Sequence, residues 1–303
     1  MSIPLYHTFF CPSNLGRWHS EYELKEKDGI LYIKPTDDAM PDIYNILKHK
    51  EDIVVEALNI GLLCMNKDKE KEAEQKEAIM GFVSRYGLLG LMTTITTTPS
   101  FMDYEIVHFI KNRYIKAETM DAIEYIEHFY PFEMPEIIKN GLAMRWDISG
   151  DNTMMALAMT FTDRETAVNM SFQRNYAEPY EWVKLQFVDW ALLFTTTIFY
   201  YENNFEDKDR ELYQQMMIAF STSSPTHHIR LLDKPTLVWN FGSLAIATQM
   251  LLDFSITDDK TPIRMCKHCT KAFKPTRPNA LFCSLKCKNQ YNVYKSRAKE
   301  EQK

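Results

Sequence analysis

Four of the six cysteines in this 303-residue chain lie between positions 266 and 287. They are Cys266, Cys269, Cys283 and Cys287, and their spacing is C-x2-C, thirteen residues, then C-x3-C. Closely spaced thiolates can be presented to one metal ion by a tight turn, and two such pairs complete a tetrahedral four-sulfur site. Because the protein fills all four positions, none stays open for water. The spacing therefore predicts one Zn²⁺ ion with a structural role.

Two further observations bear on this metal site. His268 lies between the first two cysteines and could replace one of them as a ligand, although a residue between two chelating cysteines normally points outward. Cys11 and Cys64 stand alone and are interpreted as small buried hydrophobic residues. Clustered cysteines of this kind are typical of metal binding in a cytoplasmic protein and not of disulfides.

The last cysteine pair opens a predicted helix, for which Ser284 is a good N-cap. The inner face of this helix is formed by Cys287, Tyr291, Tyr294 and Ala298. A basic and polar stripe lies about 80–140° around the helix from Cys287 and consists of Lys288, Asn292, Lys295 and Lys299. Lys286 and Arg297 flank the other side, and Arg277 lies in an exposed loop before the helix. This arrangement predicts phosphate contact, with Asn292 able to reach a base edge.

The charges are distributed unevenly along the chain. Residues 264–303 contain 11 Lys or Arg against Glu300 and Glu301, a net charge of +9. Subtraction from the totals of 35 and 41 leaves 24 basic and 39 acidic residues in positions 1–263, a net charge of −15. A basic tail on an acidic body predicts that the tail alone meets a polyanion such as DNA or RNA. The alternative is a tail that folds back onto the acidic body.

The C-terminal segment resembles the CGNR-type zinc finger, a C-terminal module of bacterial proteins thought to act as transcriptional regulators. The matching residues are Cys266, Cys269, Phe273, Arg277, Cys283, Ser284, Cys287, Asn289, Val293 and Arg297. Two positions depart from the family pattern, because Lys288 replaces its glycine and Gln290 replaces its terminal arginine. The resemblance implies a zinc-binding regulator that contacts DNA, in which Lys288 could compensate for the missing arginine.

The rest of the chain predicts a mainly α-helical body with a small β element near its N-terminus. Glycine is scarce (9 residues), whereas Met (17), Phe (18) and Tyr (16) are abundant. Residues 29–35 form the clearest predicted strand and residues 227–239 a predicted short hairpin. Apolar periodicity predicts helices at 41–65, 101–113, 118–130, 179–202, 207–221 and 243–254, and a helix that begins at Ala78 and ends near Gly87 or Gly90. Residues 137–175 are ambiguous between a strand pair and short helices, with helix favoured.

The predicted organisation is a helical body (1–254), a linker (255–263) and a treble-clef-like or ribbon-like four-cysteine zinc module ending in a basic helix (264–303). The N-terminal residues lack the basic and apolar regions of a signal peptide, and no stretch predicts a membrane span. A cytoplasmic protein without a membrane partner is therefore expected. The body is expected to sense a small-molecule ligand, whose identity the sequence does not give, or to form a homo-oligomer.

Two other functions stay open at this point. The first is a protein–protein interaction module with a purely structural zinc site, in which Tyr291 and Tyr294 would be buried. The second is an enzyme or toxin with an unrecognised site in the body, where His108 and His128 lie on predicted helices near carboxylates. No Walker loop, dinucleotide-binding fingerprint, nucleophile elbow or HExxH motif is present, so the sequence favours a protein that is not an enzyme.

Overall fold

The structure is a computed structural model that describes residues 19–40, 42, 44–66, 68–97, 106–134, 174–202, 207–218, 225–231, 233–241 and 243–300. About half of these residues lie in eight helices. The helices are α1 (Lys50–Cys64), α2 (Glu72–Tyr86), α3 (Leu91–Thr94), α4 (Ala122–Glu127), α5 (Tyr180–Glu202), α6 (Asp207–Ile218), α7 (Leu244–Ile256) and α8 (Leu285–Glu300). In the described part of the chain, no helix is both long and apolar enough to cross a membrane.

Short strands form four small sheets among the described residues. The strands are β1 (Tyr22–Lys27), β2 (Ile30–Pro35), β3 (Ile106–His108), β4 (Thr119–Asp121), β5 (Glu178–Pro179), β6 (Thr226–Leu231), β7 (Pro235–Asn240), β8 (Arg264–Met265) and β9 (Ala272–Phe273). The first sheet has the order β1-β2-β5, and the others are the antiparallel pairs β3–β4, β6–β7 and β8–β9. The prediction of a helical protein is thus confirmed. The strands of the structure are not confined to the N-terminal region.

The chain divides into two compact units. The first consists of Met1–Lys48, Ile79–Val183 and Ser221–Ala247. The second consists of His49–Ala78, Lys184–Phe220 and Thr248–Lys303, and it contains the four clustered cysteines. The predicted boundaries between body, linker and zinc module stay a prediction.

The first unit contains the predicted N-terminal strand. β1 and β2 pair antiparallel from Tyr22 opposite Pro35 to Lys27 opposite Ile30. The turn between them is formed by Asp28 and Gly29, both with positive φ (51° and 78°). Asp-Gly with two left-handed residues suits the two-residue turn that matches the twist of a β-hairpin.

A buried carboxylate organises the loop before α3 in this unit. Glu178 accepts hydrogen bonds from the backbone N–H of Leu89 (2.9 Å), the N–H of Leu91 (2.6 Å) and the hydroxyl of Tyr176 (2.8 Å). Burial raises the pKa of Glu178, and these hydrogen bonds partly offset that rise. Gly90, between the two donors, has a φ of 73°, which glycine adopts without steric cost. Glu178 therefore belongs to a buried hydrogen-bond network that holds this loop.

The predicted helix at 101–113 is wrong where the structure describes it. Ile106–His108 forms β3, which pairs with β4. Val107 is fully buried while Ile106 is 53% exposed, the alternation of a half-buried strand. β-Branched residues favour such a strand once a partner is available. His108 is consequently an exposed residue of a strand and not of a helix as predicted.

Other element boundaries differ less. The predicted helix at 41–65 is α1 preceded by a single 3-10 turn, Ile46–His49. The predicted helix at 118–130 begins as β4, and its helical part, α4, is capped by Asp121, whose carboxylate accepts from the N–H of Ile123 (2.8 Å). The strand at 29–35, the helix at 179–202 and the hairpin at 227–239 are confirmed. Residues 101–105, 137–173 and 219–221 lie outside the described residues.

In the second unit, α1 packs unusually close to α5. A Cβ atom at Gly61 of α1 would collide with the carbonyl oxygen of Phe187 and the Cβ of Ala191 on α5. α5 is in turn bonded to α7, because the indole N–H of Trp190 donates to the Gln249 side chain (3.0 Å). These contacts fix α1, which positions the cysteine module described below.

Replacement of Glu178 by glutamine is expected to destabilise the protein. The new amide N–H₂ would face a backbone N–H that now donates to a carboxylate, so at least one buried donor would lose its acceptor. We expect the free energy of unfolding to fall by about 1–3 kcal/mol. Urea denaturation followed by circular dichroism at pH 7 measures this, with exposed Glu118→Gln as the matched control. An unchanged midpoint in the Glu178 variant would contradict the role of this network.

Candidate metal centre

The first two cysteines lie on the turn of the β8–β9 hairpin, in which Met265 pairs with Ala272. The N–H of Cys266 donates to the carbonyl of Lys271 (2.9 Å), and the N–H of Thr270 donates to the carbonyl of Cys266 (2.9 Å). Thr270 has a φ of 56°, a left-handed conformation that is uncommon outside glycine and tightens the turn. This turn brings two thiols that are three residues apart into one cluster.

The second two cysteines lie at the start of α8. The hydroxyl of Ser284 accepts from the N–H of Cys287 (3.2 Å), which confirms the predicted N-cap. The N–H of Cys283 points at the sulfur of Cys266 (3.4 Å) and joins the helix start to the hairpin. The helix N-terminus and the hairpin turn therefore meet at the sulfurs.

The four sulfur atoms lie within 4.8 Å of one another. Those of Cys269 and Cys283 are 3.7 Å apart, and those of Cys283 and Cys287 are 3.5 Å apart. Thiolates about 2.3 Å from a tetrahedral ion lie about 3.8 Å from each other. A disulfide requires a distance of about 2.05 Å. The cluster is therefore a set of free thiols at a spacing suited to one metal ion.

The thiols influence each other's ionisation. Burial would raise the pKa of Cys266, but backbone N–H groups of Cys269, Cys283 and His268 outweigh it and lower that pKa to about 6. Burial raises the pKa of Cys283 to about 12, with a further contribution from the neighbouring thiols. Burial also raises the pKa of Cys269. Crowded thiols do not all ionise by themselves, whereas a metal cation among them would stabilise every thiolate.

The hairpin is attached to α1 by one side-chain amide. Asn59 donates from Nδ2 to the carbonyl of Ala272 (3.1 Å), and its Oδ1 accepts from the N–H of Ala272 (2.8 Å). The same Nδ2 lies 2.9 Å from the carbonyl of Val55 on its own helix. Asn59 thus satisfies both backbone groups of a strand residue, as a neighbouring strand would.

An ion pair supplies a second attachment. Lys274 donates to a carboxylate oxygen of Asp258 (3.1 Å), in the segment after α7. Burial would raise the pKa of Asp258, but hydrogen bonds from the N–H groups of Thr261 and Lys260 and from Lys274 lower it to about 2. The pair is partly exposed, so its net contribution to stability is small.

His268 does not join the cysteine cluster. Its Nε2 lies 3.1 Å from the side-chain oxygen of Gln290, and its ring stacks on Tyr294 at 5.8 Å and 18°. Gln290 is the position where the CGNR pattern has its terminal arginine. In this chain the glutamine bridges the hairpin turn to α8 and helps to orient the helix.

The side chains predicted to contact nucleic acid are exposed wherever they are described. Within the described residues, none of these cations forms an ion pair with an acidic side chain. The exposed residues are Arg277, Lys286, Lys288, Asn292, Lys295 and Arg297. Lys299 lies in the last turn of α8, and Arg277 lies in the loop before it, so Arg277 is separate from the helical stripe.

The apolar residues of α8 are also unevenly buried. Tyr291 is half-buried and packs on Phe282 (ring centroids 5.2 Å apart), whereas Tyr294 is 59% exposed. Leu285 and Val293 are 77% and 49% exposed. The helix is therefore held at its start and presents most of its surface to solvent.

Sequence reasoning missed the residues that place the module. Asn59 and Gln290 carry no motif, and their partners lie 213 and 22 positions away. The available signal for Asn59 was a polar residue next to Leu58 in an apolar periodic helix, which often marks a specific buried contact.

Comparison of the chain with protein-family models, curated proteins and solved structures finds no match.

Replacement of Asn59 by aspartate is expected to loosen the β8–β9 hairpin. The isosteric carboxylate can still accept from the N–H of Ala272 but cannot donate to its carbonyl. Loss of one such hydrogen bond, worth about 1 kcal/mol, should accelerate amide exchange in 264–274 several-fold. Hydrogen–deuterium exchange mass spectrometry measures this, and exposed Asn289→Asp serves as the control. Equal exchange in both variants would show that Asn59 does not hold the hairpin.

The cysteine cluster is expected to bind one divalent metal ion per chain. Cys283→Ser should lose the ion because serine hydroxyl is a poor ligand, whereas Cys64→Ser, outside the cluster, should retain it. Elemental analysis of the purified proteins gives the stoichiometry. Cobalt substitution should produce the absorption bands of a tetrahedral thiolate site. Equal metal content in the two variants would rule the cluster out.

Proposed function

We propose that this protein is a zinc-containing regulatory protein that contacts DNA through α8, as its resemblance to CGNR-type fingers of bacterial regulators implies. The observation that carries the proposal is a projecting helix whose exposed cations have no acidic partner among the described residues. The zinc ion is structural, and no step of chemistry is assigned to it.

The donor set supports zinc or iron, and the resemblance to CGNR-type fingers favours zinc. Four thiolates at tetrahedral spacing favour zinc or iron over calcium, magnesium and manganese, which prefer oxygen ligands. The β8–β9 hairpin and the start of α8 bury little apolar surface of their own. A structural zinc ion contributes on the order of 10 kcal/mol to the folding of such small modules.

The arrangement of residues around α8 suits a nucleic-acid groove. At about 100° per residue, a neutral strip runs along the side opposite the cysteines. It contains Leu285, Asn289, Asn292, Val293 and Ser296, and it ends at the acidic Glu300, the last position of the helix. Lys288 and Lys295 border this strip on one side, and Lys286 and Arg297 border it on the other. Two basic margins can reach the phosphates of both strands while the strip between them faces the bases.

The width of this surface favours DNA over double-stranded RNA. An α-helix with its side chains is about 10–12 Å wide and fits the major groove of B-form DNA, which is about 12 Å wide. The corresponding groove of A-form RNA is too narrow and deep for side chains to read. Asn289 and Asn292 carry amides that can pair with a base edge, and Val293 can contact a thymine methyl group.

A second candidate function is supported by the attachment of the hairpin. Asn59 and Asp258 hold the cysteine module in the second unit, so the module could act as a structural clamp or bind a protein partner. That function would require no affinity for nucleic acid. The protein-interaction function also requires a buried Tyr294, whereas this side chain is 59% exposed.

Replacement of Lys288, Lys295 and Lys299 by alanine is expected to weaken nucleic-acid binding. Each lost phosphate contact reduces the number of released counterions, so the slope of log affinity against log salt should become shallower by about 2–3. Fluorescence anisotropy of the full zinc-loaded chain with a mixed-sequence duplex DNA, across a salt series, measures both affinity and slope.

The matched control is Lys25, Lys111 and Lys116 to alanine, which removes the same charge from exposed positions of the first unit. It should leave the slope unchanged. If the two triple variants gave equal slopes, the assignment of α8 as the helix that contacts nucleic acid would be wrong. Absence of binding to DNA and to RNA at low salt would favour the clamp or protein-partner function.

A further inference from the structure

A cavity of about 790 Å³ lies within the second unit. Its walls come from the C-terminal half of α5, from α6, from residues 256–267 and from Ala280 and Leu281 of the cysteine module. Small-molecule sites in proteins typically have volumes of about 300–1,000 Å³. The cavity thus has the size of a small-molecule site and includes part of the hairpin that carries Cys266.

One wall of the cavity is aromatic. The rings of Tyr200 and Tyr201 meet edge to face (5.0 Å, 82°), and those of Tyr200 and Tyr213 lie 6.5 Å apart. The side chain of Gln214 donates to the hydroxyl of Tyr200 (3.1 Å) and fixes that ring. Tyr201 is 81% exposed, which is a large aromatic surface for a solvent-facing helix position. Such a wall suits a planar, apolar ligand.

Two cations, Arg264 and Lys267, also line the cavity. Among the described residues, neither forms an ion pair. Asp258 lines the cavity as well, but its carboxylate is already engaged by Lys274 and by two backbone N–H groups. Asp259 also lines the cavity, and its exposed side chain carries a negative charge that opposes those of Arg264 and Lys267. A partly buried guanidinium with a nearby ammonium group is well suited to a carboxylate.

We propose that this cavity binds a small aromatic carboxylate. Its ring would lie against the tyrosine wall, and its carboxylate would contact Arg264 and Lys267. These two residues flank Cys266 in the chain, so a bound ligand would contact the segment that carries a metal ligand. The proposal does not depend on DNA binding, because it uses none of the residues of α8.

The test uses two probes of the same shape, 2-naphthoate and the uncharged 2-naphthamide, titrated into the full zinc-loaded chain by isothermal calorimetry. 2-Naphthoate is expected to bind one to one and at least about tenfold more tightly than 2-naphthamide, because only the carboxylate engages the cations. Arg264→Gln with Lys267→Gln should remove this preference and leave the affinity for 2-naphthamide unchanged. Equal affinity for both probes in the wild type, or no binding of either, would overturn the proposal.

Lys271→Gln is the matched control, since Lys271 is an exposed lysine of the same hairpin outside the cavity. It should retain the preference for 2-naphthoate. Substitutions beside Cys266 can disturb the metal site, so Tyr201→Ser provides an independent arm on α5. This variant should weaken the binding of both probes several-fold and by a similar factor. Unchanged binding in Tyr201→Ser would place the probes elsewhere and contradict the proposed cavity.

Discussion

The paired hydrogen bonds between Asn59 and Ala272 are the contact on which the position of the cysteine module depends. β8 and β9 have two residues each, and so short a hairpin is not stable in water by itself. Asn59 supplies the donor and the acceptor that a third strand would otherwise supply. α1 is held against α5 at Gly61. The position of the hairpin is therefore set by the packing of α1 on α5. A metal ion bound by the four cysteines would then fix the start of α8 relative to that hairpin.

Glu178 has an equivalent role in the first unit. Its carboxylate satisfies backbone N–H groups of Leu89 and Leu91, in a loop where no strand or helix neighbour accepts from them. In both units, a polar side chain completes the hydrogen bonding of another segment: Glu178 is fully buried and Asn59 is partly buried. Such groups are costly to bury unless every donor and acceptor is used, which is why each one specifies a single local geometry.

The features predicted correctly from the sequence are those encoded by neighbouring residues. Cysteine spacing, the Ser284 cap, the apolar helix at 179–202 and the hairpin at 227–239 depend on residues a few positions apart, and the structure contains them. The strand at Ile106–His108 was predicted as helix because its partner, β4, decides its conformation. The contact of Asn59 with Ala272 spans 213 positions and has no local signature. Pairings of this kind are settled by tertiary packing, which a single sequence does not display.

The attachment of the module and the exposure of α8 are compatible because they use different groups. The hairpin is attached through the backbone of Ala272 and the side chain of Lys274, whereas the described cations of α8 take no part. An acidic body would therefore not neutralise these cations through the contacts that hold the module. At physiological ionic strength, charges more than about 8 Å apart are largely screened. A charge of −15 on residues 1–263 would disfavour a polyanion on that part of the chain, whereas residues 264–303 carry a charge of +9. The proposed contact with a polyanion would therefore use cations of α8 that form no ion pair with an acid among the described residues.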